Sequence, residues 1–322
     1  MSLYLVTGGA GFVGSALVRE LLRQGEQVRV VDDFSVGLRE NLAEVKDRIE
    51  LFEVDITDLE RLRPALAGVD YVLHQAALRS VPRSVDNPLD SNYVNVVGTL
   101  NVLVAARDAG IKRFVYGGSS TAYGDTPTLP KVETMPTNPI SPYAVSKLAG
   151  EMYSVVFHRI YGLPTVCLRY FNLFGPRQDP RSPYSAVLSI FIDALIRGER
   201  PHVFGDGEQS RDFTYVDNAV QANLLACSAP GAVGKVINIA TGKRQSLNHT
   251  LVLLRKLIGT DVEAIYGPTR TGDVLHAHAD INRARQLLGY EPDVLFEEGL
   301  KRTVEWYQAN WKKYYLVSAD SV

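Results

Sequence analysis

The segment SPYAVSK, residues 141–147, holds a tyrosine and a lysine four positions apart. Ser141 is a favourable N-cap, and Pro142 suits the first helical position because its missing N–H would have no partner there in any case. In a helix that begins here, Tyr143 and Lys147 lie one turn apart on the same face. A nearby ammonium favours a phenolate, which can act as a base although the free phenol has a pKa of about 10. Taken alone, the pair is more often a surface contact on an amphipathic helix.

A glycine-rich segment, VTGGAGFVG, follows the first predicted strand and opens the first predicted helix. Gly8, Gly11 and Gly14 have the spacing G-x-x-G-x-x-G, one residue longer in its first gap than the G-x-G-x-x-G fingerprint. Glycines permit a tight turn and a close approach of the backbone, and the helix N-terminus attracts a pyrophosphate. The segment therefore predicts a dinucleotide site, with an ordinary helix cap as the alternative.

Acidic residues at the ends of the next two predicted strands refine this prediction. Asp32 ends the second strand, where a carboxylate accepts hydrogen bonds from the adenosine ribose hydroxyls. The same carboxylate would repel a 2′-phosphate, so NAD is favoured over NADP. Asp55 and Ile56, in VDIT at the end of the third strand, suit one edge and one face of adenine.

Ser119 ends the fifth predicted strand in GGSSTAYG and is expected at the same crevice. A hydroxyl, a tyrosine and a lysine that face a nicotinamide suit removal of a proton from an alcohol while hydride leaves the same carbon. Tyr143 would take the proton, Lys147 would hold the nicotinamide ribose and favour the phenolate, and Ser119 would bond the reacting oxygen. This chemistry needs no metal. A core serine with satisfied hydrogen bonds is the alternative for Ser119.

Alternating strand-like and helix-like segments in the first half must position these residues. Strands are predicted at LYLVTG, QVRVVDD, IELFEVD, DYVLHQAA, KRFVYGGSS and TVCLRYFN. Helices are predicted at 15–23, at 58–66, at about 89–109 and from Pro142 onward. Near-continuous apolar strands that alternate with helices predict an α/β fold with a Rossmann-like, doubly wound parallel sheet.

The second half is less regular, and FNLFGPRQDPRSPYS is crowded with proline and glycine. We expect a smaller C-terminal α/β lobe that closes over the carboxyl edge of the sheet, where open α/β folds bind ligands. The predicted NAD-binding domain comprises residues 1–172 with about 214–245. The predicted nucleotide-sugar lobe comprises about 173–213 and 246–322.

Composition restricts the class of function. The 322 residues include 34 basic and 36 acidic side chains and no basic tract, so neither nucleic acid nor a charged membrane surface is an expected partner. Cys167 and Cys227 lie far apart without histidines at ligand spacing, so neither a zinc site nor a disulfide framework is expected. The chain lacks a signal-like start and any apolar run near 18 residues, which predicts a soluble cytoplasmic protein.

Several segments together resemble the extended short-chain dehydrogenase/reductase superfamily over nearly the whole chain: the glycine loop, HQAAL, NVVGT, the Tyr143–Lys147 pair, RYFNLFGPRQ and GDGEQSRDF. Within it, SVPRS, YGDTPTLPKVE, SPYAVSK and FNLFGPRQDP are most similar to bacterial UDP-N-acetylglucosamine 4-epimerases. The resemblance implies tightly held NAD that oxidises C4 of a UDP-sugar and returns hydride to the opposite face of a rotated 4-keto intermediate. The coenzyme would thus be regenerated in every turnover.

The same resemblance separates neighbouring reactions. Related 4,6-dehydratases carry an Asp-Glu pair directly after the fifth strand, and related decarboxylases keep a glutamate in that stretch. Here these positions are Ser120 and Thr121, so dehydration and decarboxylation are disfavoured. An NAD-dependent dehydrogenase that releases NADH stays open. A non-catalytic nucleotide-binding sensor also stays open, although such a protein would be expected to have lost Ser119, Tyr143 or Lys147.

The resemblance implies two further sets of site residues. At the cofactor it implies Phe12, Val13, Asp33, Gln75, Ala76, Ala77, Arg79, Asn95 and Tyr170. At the UDP-sugar it implies Ser80, Asn172, Ala186, Val187, Val203, Phe204, Arg211, Arg270, Asp273 and Ala277.

Within the second set, Asn172 would bond the diphosphate or the sugar, and Arg211 and Arg270 would hold the phosphates through their planar guanidinium groups. A surface charge is the alternative for both arginines. Asp273 would accept from the uridine ribose, and the neighbouring Val203 and Phe204 would line the uracil site.

Selectivity for the sugar depends on the room at C2 and on charge. Ala277 lies at a gate position that closes the pocket when it is bulky, so Ala277 and Ala186 together imply room for a 2-acetamido group. Two positions depart from the pattern. Arg79 replaces a small residue that is common in N-acetyl-preferring relatives, and Leu275 replaces a frequent arginine. Arg79 would contact NAD or, alternatively, bind the carboxylate of a UDP-uronic or UDP-N-acetylhexosaminuronic acid.

In related proteins the helices at about 89–109 and 143–161 form a four-helix dimer interface, which implies a homodimer. Packing of these helices on the sheet is the alternative.

Overall fold

The computed structural model describes residues 1–179, 187–269 and 275–315, with side chains to residue 310. The strands are β1 (Leu3–Thr7), β2 (Gln27–Val31), β3 (Glu50–Phe52), β4 (Tyr71–His74), β5 (Arg113–Ser119), β6 (Thr165–Tyr170), β7 (Leu173–Phe174), β8 (His202–Phe204), β9 (Ser210–Arg211), β10 (Thr214–Tyr215), β11 (Lys235–Ile239), β12 (Gln245–Ser246) and β13 (Ile265–Gly267). The α-helices are α1 (Phe12–Arg23), α2 (Leu59–Leu62), α3 (Val81–Asp86), α4 (Pro88–Asn92), α5 (Thr99–Ala109), α6 (Pro142–Tyr161), α7 (Val187–Ile196), α8 (Val216–Ser228), α9 (Leu247–Ile258), α10 (Asn282–Leu288) and α11 (Phe296–Tyr315).

A seven-stranded sheet in the order β11-β6-β5-β4-β1-β2-β3 organises the chain, and all its neighbouring strands are parallel. Helices cover both of its faces, because the central strands are apolar on both sides. One core joins the sheet to α1, α8 and α10, and a second joins it to α2, α5 and α6. The predicted Rossmann-like doubly wound sheet is therefore confirmed.

A third core lies beside the sheet and unites α7, α9 and α11. Its large side chains include Phe191, Leu254 and Tyr307, together with Phe174 and Phe213 from the segment that leaves the sheet. The small strand pairs β13–β8 and β12–β9 lie in the same stretch of chain. We refer to α7, β8, β9, β12, α9, β13 and α11 as the smaller lobe.

Helix α10, near the C-terminal end of the described chain, packs against the core of the large sheet. Residues Ala284 and Leu288 of α10 belong to the same core as Leu17 of α1, although α10 falls within the range predicted for the sugar-binding lobe. The predicted domain boundaries stay a prediction.

Local sequence explains where the elements differ from expectation. Helix α1 begins at Phe12 and not at Ser15, since Gly11 has the extended backbone of an N-cap. The predicted helix 58–66 is α2 followed by a 3-10 turn from Arg63 to Leu66, where Pro64 lacks an N–H for the helical ladder.

The expected helix at about 89–109 is interrupted. Pro82 and Pro88 each open a short helix, α3 and α4, and the chain then passes through a π-helical turn, Tyr93–Gly98, before α5. Strand β11, whose sequence is KVINI, joins the sheet edge beside β6 and was not among the predicted strands. None of the helices in the described ranges combines the length and apolar content needed to cross a bilayer.

Candidate active site

A cavity of about 720 Å³ lies at the carboxyl ends of the central parallel strands and extends to the smaller lobe. This is the edge at which the sequence predicts a ligand. The predicted site residues that line the cavity are Gly8, Gly11, Phe12, Val13, Gly14, Asp32, Asp33, Asp55, Ile56, Gln75, Ala76, Ala77, Arg79, Ser80, Ser119, Tyr143, Lys147, Tyr170, Asn172, Val187, Val203, Phe204 and Arg211.

Four predicted substrate residues are not in this wall. Ala186, Arg270 and Asp273 lie outside the described residues, so their roles stay predictions. Ala277 is described, but it packs against an apolar cluster that includes Tyr123 and does not line the cavity. The gate role of Ala277 likewise stays a prediction.

Asn95 is also absent from the cavity wall. It is almost completely buried, and its side chain bonds the backbone of Leu78 and the hydroxyl of Ser146. Asn95 therefore holds Leu78, a residue of the cavity wall, without lining the cavity itself.

The glycine loop forms a close-packed cradle between β1 and α1. Gly8 has a φ of +68°, and a Cβ there would lie 2.8 Å from the backbone of Ala76. A Cβ on Gly14 would overlap the carbonyl of Gly8. The first turn of α1 opens onto the cavity, where Gly11, Phe12 and Gly14 line it. Bare backbone at a helix N-terminus fits the pyrophosphate of a dinucleotide.

Asp32 lies at the end of β2 in the same cavity. Its carboxylate accepts hydrogen bonds from the N–H groups of Ala10, at 2.8 Å, and Phe34, at 2.9 Å. Burial raises the pKa of Asp32, and these two hydrogen bonds oppose the rise. The carboxylate is thereby held at the cavity wall, and its predicted role toward an adenosine ribose stays a prediction.

The hydroxyl, the phenol and the amine predicted for catalysis share this cavity. Ser119, the last residue of β5, caps a 3-10 turn and accepts a hydrogen bond from the N–H of Thr121. Tyr143 is the second residue of α6, whose N-cap Ser141 accepts from the N–H of Ala144 at 3.1 Å. Lys147 follows one turn later, with its Nζ 4.6 Å from the centre of the Tyr116 ring.

Burial dominates the electrostatics of this group. It raises the pKa of Tyr143, while the nearby Ser119 hydroxyl and the positive charge of Arg79 oppose the rise. Burial also lowers the pKa of Lys147 from 10.5 to about 8. The predicted role of Lys147 in favouring the phenolate stays a prediction.

Two of the predicted substrate residues, Asn172 and Arg211, are bonded to backbone carbonyls at the cavity wall. Asn172 has a φ of +34°, rare outside glycine, and its amide donates to the carbonyl of Asp212 at 3.3 Å. Arg211 donates to the carbonyls of Ser210 and Leu275 at 3.1 and 2.9 Å. These contacts fix the Asn172 amide and the Arg211 guanidinium at the cavity wall.

Sequence reasoning missed Thr121, Asp179 and His202, which also line the cavity. The Thr121 hydroxyl lies 2.9 Å from that of Ser119. The negative charge of Asp179 favours the protonated form of Arg79 and so opposes the fall in the pKa of Arg79 that burial causes. The first two belong to the quoted motifs GGSSTAYG and FNLFGPRQDP, so their motif context was the available signal. No motif in the sequence indicated His202, which reaches the site because it lies beside Phe204 on β8.

Within the described ranges, no group of three or more His, Cys, Asp or Glu side chains is arranged to hold a metal ion.

Comparison with known proteins adds independent information. The family model described as "NAD dependent epimerase/dehydratase family" matches residues 4–240. The UDP-glucuronate 4-epimerase of Thermodesulfobacterium geofontis is 36% identical over 326 residues, which cover 96% of this chain and 97% of that protein.

Two solved structures are also similar. The UDP-glucose 4-epimerase of Thermotoga maritima with UDP-glucose has a TM-score of 0.92 and 41% identity, over 96% of this chain and 99% of that one. The UDP-N-acetylglucosamine 4-epimerase of Methanobrevibacter ruminantium M1, in complex with UDP-N-acetylmuramic acid, has a TM-score of 0.92 and 40% identity, with the same two coverages.

Proposed function

The chain belongs to the NAD dependent epimerase/dehydratase family, and from this membership we propose that the enzyme is a UDP-sugar 4-epimerase that uses bound NAD. The proposed substrates are the pair UDP-N-acetylglucosamine and UDP-N-acetylgalactosamine, together with UDP-glucose and UDP-galactose.

The observation that carries the proposal is that Ser119, Tyr143 and Lys147 line the same cavity as the glycine cradle. A phenol beside a dinucleotide site suits proton transfer at a carbinol. Ser120 and Thr121 line the cavity next to these side chains and supply hydroxyls only. A reaction that needs a carboxylate there, such as elimination or decarboxylation, is not supported by this wall.

The residues of the chain divide the work as follows. Tyr143, as phenolate, accepts the proton of the C4 hydroxyl, and Ser119 holds the C4 oxygen by a hydrogen bond. Lys147 holds the nicotinamide ribose, and Asp32 holds the adenosine ribose. NAD, when bound, would take up hydride from C4 and return it. Tyr143 then gives its proton back to the oxygen of the 4-keto sugar once the sugar has rotated.

The charge at the sugar end of the cavity favours a neutral sugar. Arg79 is exposed to the cavity and would suit a carboxylate, which is the basis of the uronic acid alternative and agrees with the similarity to a UDP-glucuronate 4-epimerase. Asp179, however, already supplies negative charge to Arg79. A substrate carboxylate beside Arg79 would therefore be repelled by Asp179, whereas a hexose or N-acetylhexosamine carries no charge for Asp179 to repel.

A panel of UDP-sugars tests the proposal, with C4 inversion followed by chromatography of the products. The panel contains UDP-glucose, UDP-N-acetylglucosamine, UDP-glucuronic acid and UDP-N-acetylglucosaminuronic acid. Inversion of the neutral sugars, without NADH accumulating in solution, is expected. Inversion of the acidic sugars alone would establish the uronic acid alternative, and stoichiometric NADH release would establish a dehydrogenase. NAD-bound protein that turns over no sugar would favour the sensor.

We further propose a homodimer through an exposed apolar face on α4, the turn after it and α6. This dimer face is defined by Leu89, Tyr93, Met152, Val156 and Ile160, of which Leu89 and Ile160 are 79% and 68% exposed. A second copy would cover side chains that otherwise stay in water. The cytoplasmic location stays a prediction from the sequence.

A further inference from the structure

Tyr116 lies on β5 and is completely buried against α6, the helix that carries Tyr143 and Lys147. Its side chain is not part of the cavity wall. Alternate residues of a strand face opposite sides of a sheet, and Tyr116 belongs to the core on the side of α2, α5 and α6. Any effect of Tyr116 on the site must therefore pass through a residue of α6.

Tyr116 contacts Lys147 at two places. Its hydroxyl donates a hydrogen bond to the backbone carbonyl of Lys147 at 3.0 Å. Its ring faces the other end of the same residue, with the ring centre 4.6 Å from Lys147 Nζ. One buried side chain thus contacts both the backbone and the amine of Lys147, so direct contacts set where the amine lies relative to the ring.

The close approach of Tyr116 to α6 depends on Gly150, three residues after Lys147. A Cβ at residue 150 would overlap the Tyr116 hydroxyl oxygen and would lie 2.7 Å from the ring carbon that bears it. Glycine leaves that space free because it has no side chain. The helix is therefore built to accept a tyrosine hydroxyl at this point.

The titratable neighbours of Lys147 on the sheet are neutral near pH 7. His74 of β4 lies beside the Tyr116 ring, with the ring centres 5.9 Å apart, and burial lowers its pKa to about 3. Cys167 of β6 also acts electrostatically on Lys147, and burial raises the pKa of its thiol. Neither residue supplies an anion to the amine at neutral pH.

The neighbours on α6 itself leave the amine in the same situation. Burial raises the pKa of Tyr143, one turn earlier, which keeps this phenol protonated near neutral pH. Glu151, one turn later, is bonded through both carboxylate oxygens to Arg169. The π face of an aromatic ring carries partial negative charge, so the Tyr116 ring offers a buried ammonium a favourable surface.

We propose that Tyr116 is a positioning residue for Lys147: its ring stabilises the buried ammonium by a cation–π contact, and its hydroxyl fixes the backbone from which the ammonium extends. This deepens the proposed function and rests on it in one respect, namely that Lys147 works in its charged form. A ring face within about 6 Å of an ammonium favours the charged form, most strongly where water is excluded. Loss of the ring should therefore lower the pKa of Lys147, whereas loss of the hydroxyl alone should not.

The test compares Tyr116→Leu, which removes the ring, with Tyr116→Phe, which keeps the ring and removes the hydroxyl. The matched controls are Tyr290→Leu and Tyr290→Phe. Tyr290 is equally buried and also donates its hydroxyl to a backbone carbonyl, that of Ala240 at 2.9 Å, but it belongs to the core on the other side of the sheet. Both leucine variants remove a buried aromatic ring, and only the ring of Tyr116 faces Lys147.

The first readout is the titration of Lys147 itself in the intact chain. It is followed by the carbon-13 chemical shift of lysine Cε, and the Lys147 signal is assigned by its absence in Lys147→Arg. The midpoint should fall by about one pH unit in Tyr116→Leu and stay unchanged in Tyr116→Phe and in both Tyr290 variants. If urea denaturation shows Tyr116→Leu to be unfolded, Gly150→Ala replaces it, because the new Cβ must displace the Tyr116 ring and should lower the midpoint as well.

The second readout is C4 inversion across pH. The alkaline limb of the profile should move downward by about one pH unit in Tyr116→Leu, which is about a tenfold loss of rate on that limb, and stay in place in Tyr116→Phe. The titration of Lys147 decides the role of Tyr116 even if no UDP-sugar is turned over. Failure of the proposed function and failure of the inference are therefore distinguishable.

Three results would overturn the inference. An unchanged Lys147 midpoint in a folded Tyr116→Leu or Gly150→Ala variant would mean that the ring does not stabilise the ammonium. An equal fall in Tyr116→Leu and Tyr116→Phe would assign the effect to the hydroxyl. An equal fall in Tyr290→Leu would assign it to a general loosening of the core.

Discussion

Glu151 and Arg169 form a two-point ion pair between α6 and β6: Arg169 Nε donates to one carboxylate oxygen at 2.7 Å and Nη2 to the other at 2.6 Å. Their side chains are 7% and 4% exposed. Glu151 follows Lys147 by one helical turn, and Arg169 precedes Tyr170, which lines the cavity. The pair therefore fixes the helix that carries Tyr143 and Lys147 against the sheet.

Replacing one partner should be costly because it leaves a buried charge without compensation. We expect Arg169→Met to lower the free energy of unfolding by about 3–5 kcal/mol, measured by urea denaturation. The double variant Glu151→Leu/Arg169→Met should recover most of that loss, since no uncompensated charge remains. A single variant as stable as the wild type would show that the pair does not hold the helix.

Tyr143→Phe removes the proposed base and leaves the shape of the side chain. Because general acid–base steps contribute about 10²–10⁴-fold, C4 inversion should fall by that range while NAD stays bound. Tyr153→Phe is the matched control, since Tyr153 lies on the same helix but is partly exposed outside the cavity wall. Comparable losses in the two variants would refute a specific role for Tyr143.

Gly14→Ala tests the cradle. The new Cβ would overlap the carbonyl of Gly8, and that overlap must push the loop out of shape. We expect the purified variant to retain much less NAD, measured as nucleotide released on denaturation. Gly231→Ala is the control, since its Cβ would meet only Leu287 at 3.7 Å. Full NAD content in Gly14→Ala would argue that the pyrophosphate binds elsewhere.

Lys147 should leave a signature in the pH dependence of stability of the NAD-free protein. Its pKa is about 8 in the folded state against 10.5 in the unfolded chain, so between these values the unfolded chain binds more protons. The contribution of Lys147 to stability should therefore rise with pH across this window, by up to about 3 kcal/mol, and the charged amine is a cost below about pH 8. Buried thiols and phenols titrate in the same window in both proteins, so the measured quantity is the difference in the free energy of unfolding between the wild type and Lys147→Met, from urea denaturation. This difference should change in favour of the wild type as the pH rises; a constant difference would contradict the low pKa.

The parts of the site that the sequence predicts are those that depend on short segments. SPYAVSK sets the start of α6 by its own capping and so fixes the spacing of Tyr143 and Lys147, and VTGGAGFVG sets the cradle in the same way. The packing of the segment after β4 against the start of α6 was not predictable, because it depends on the hydrogen bonds of Asn95 with Ser146 and of Tyr143 with Ser84, across 51 and 59 residues of chain. The π-helical turn before α5 likewise has no local signal that outweighs the apolar periodicity.

The dimer face can be tested by placing charges on it. Met152→Lys with Ile160→Lys puts two ammonium groups where the proposed partner would pack, and desolvating them would cost more than the apolar contact returns. We expect the variant to be a monomer by light scattering at concentrations where the wild type is a dimer. Val252→Lys is the matched control, because Val252 is 63% exposed on α9, away from this face, and Met152 is 61% exposed. A wild-type monomer would refute the proposed homodimer. A dimer that persists in the double variant would place the interface on another face.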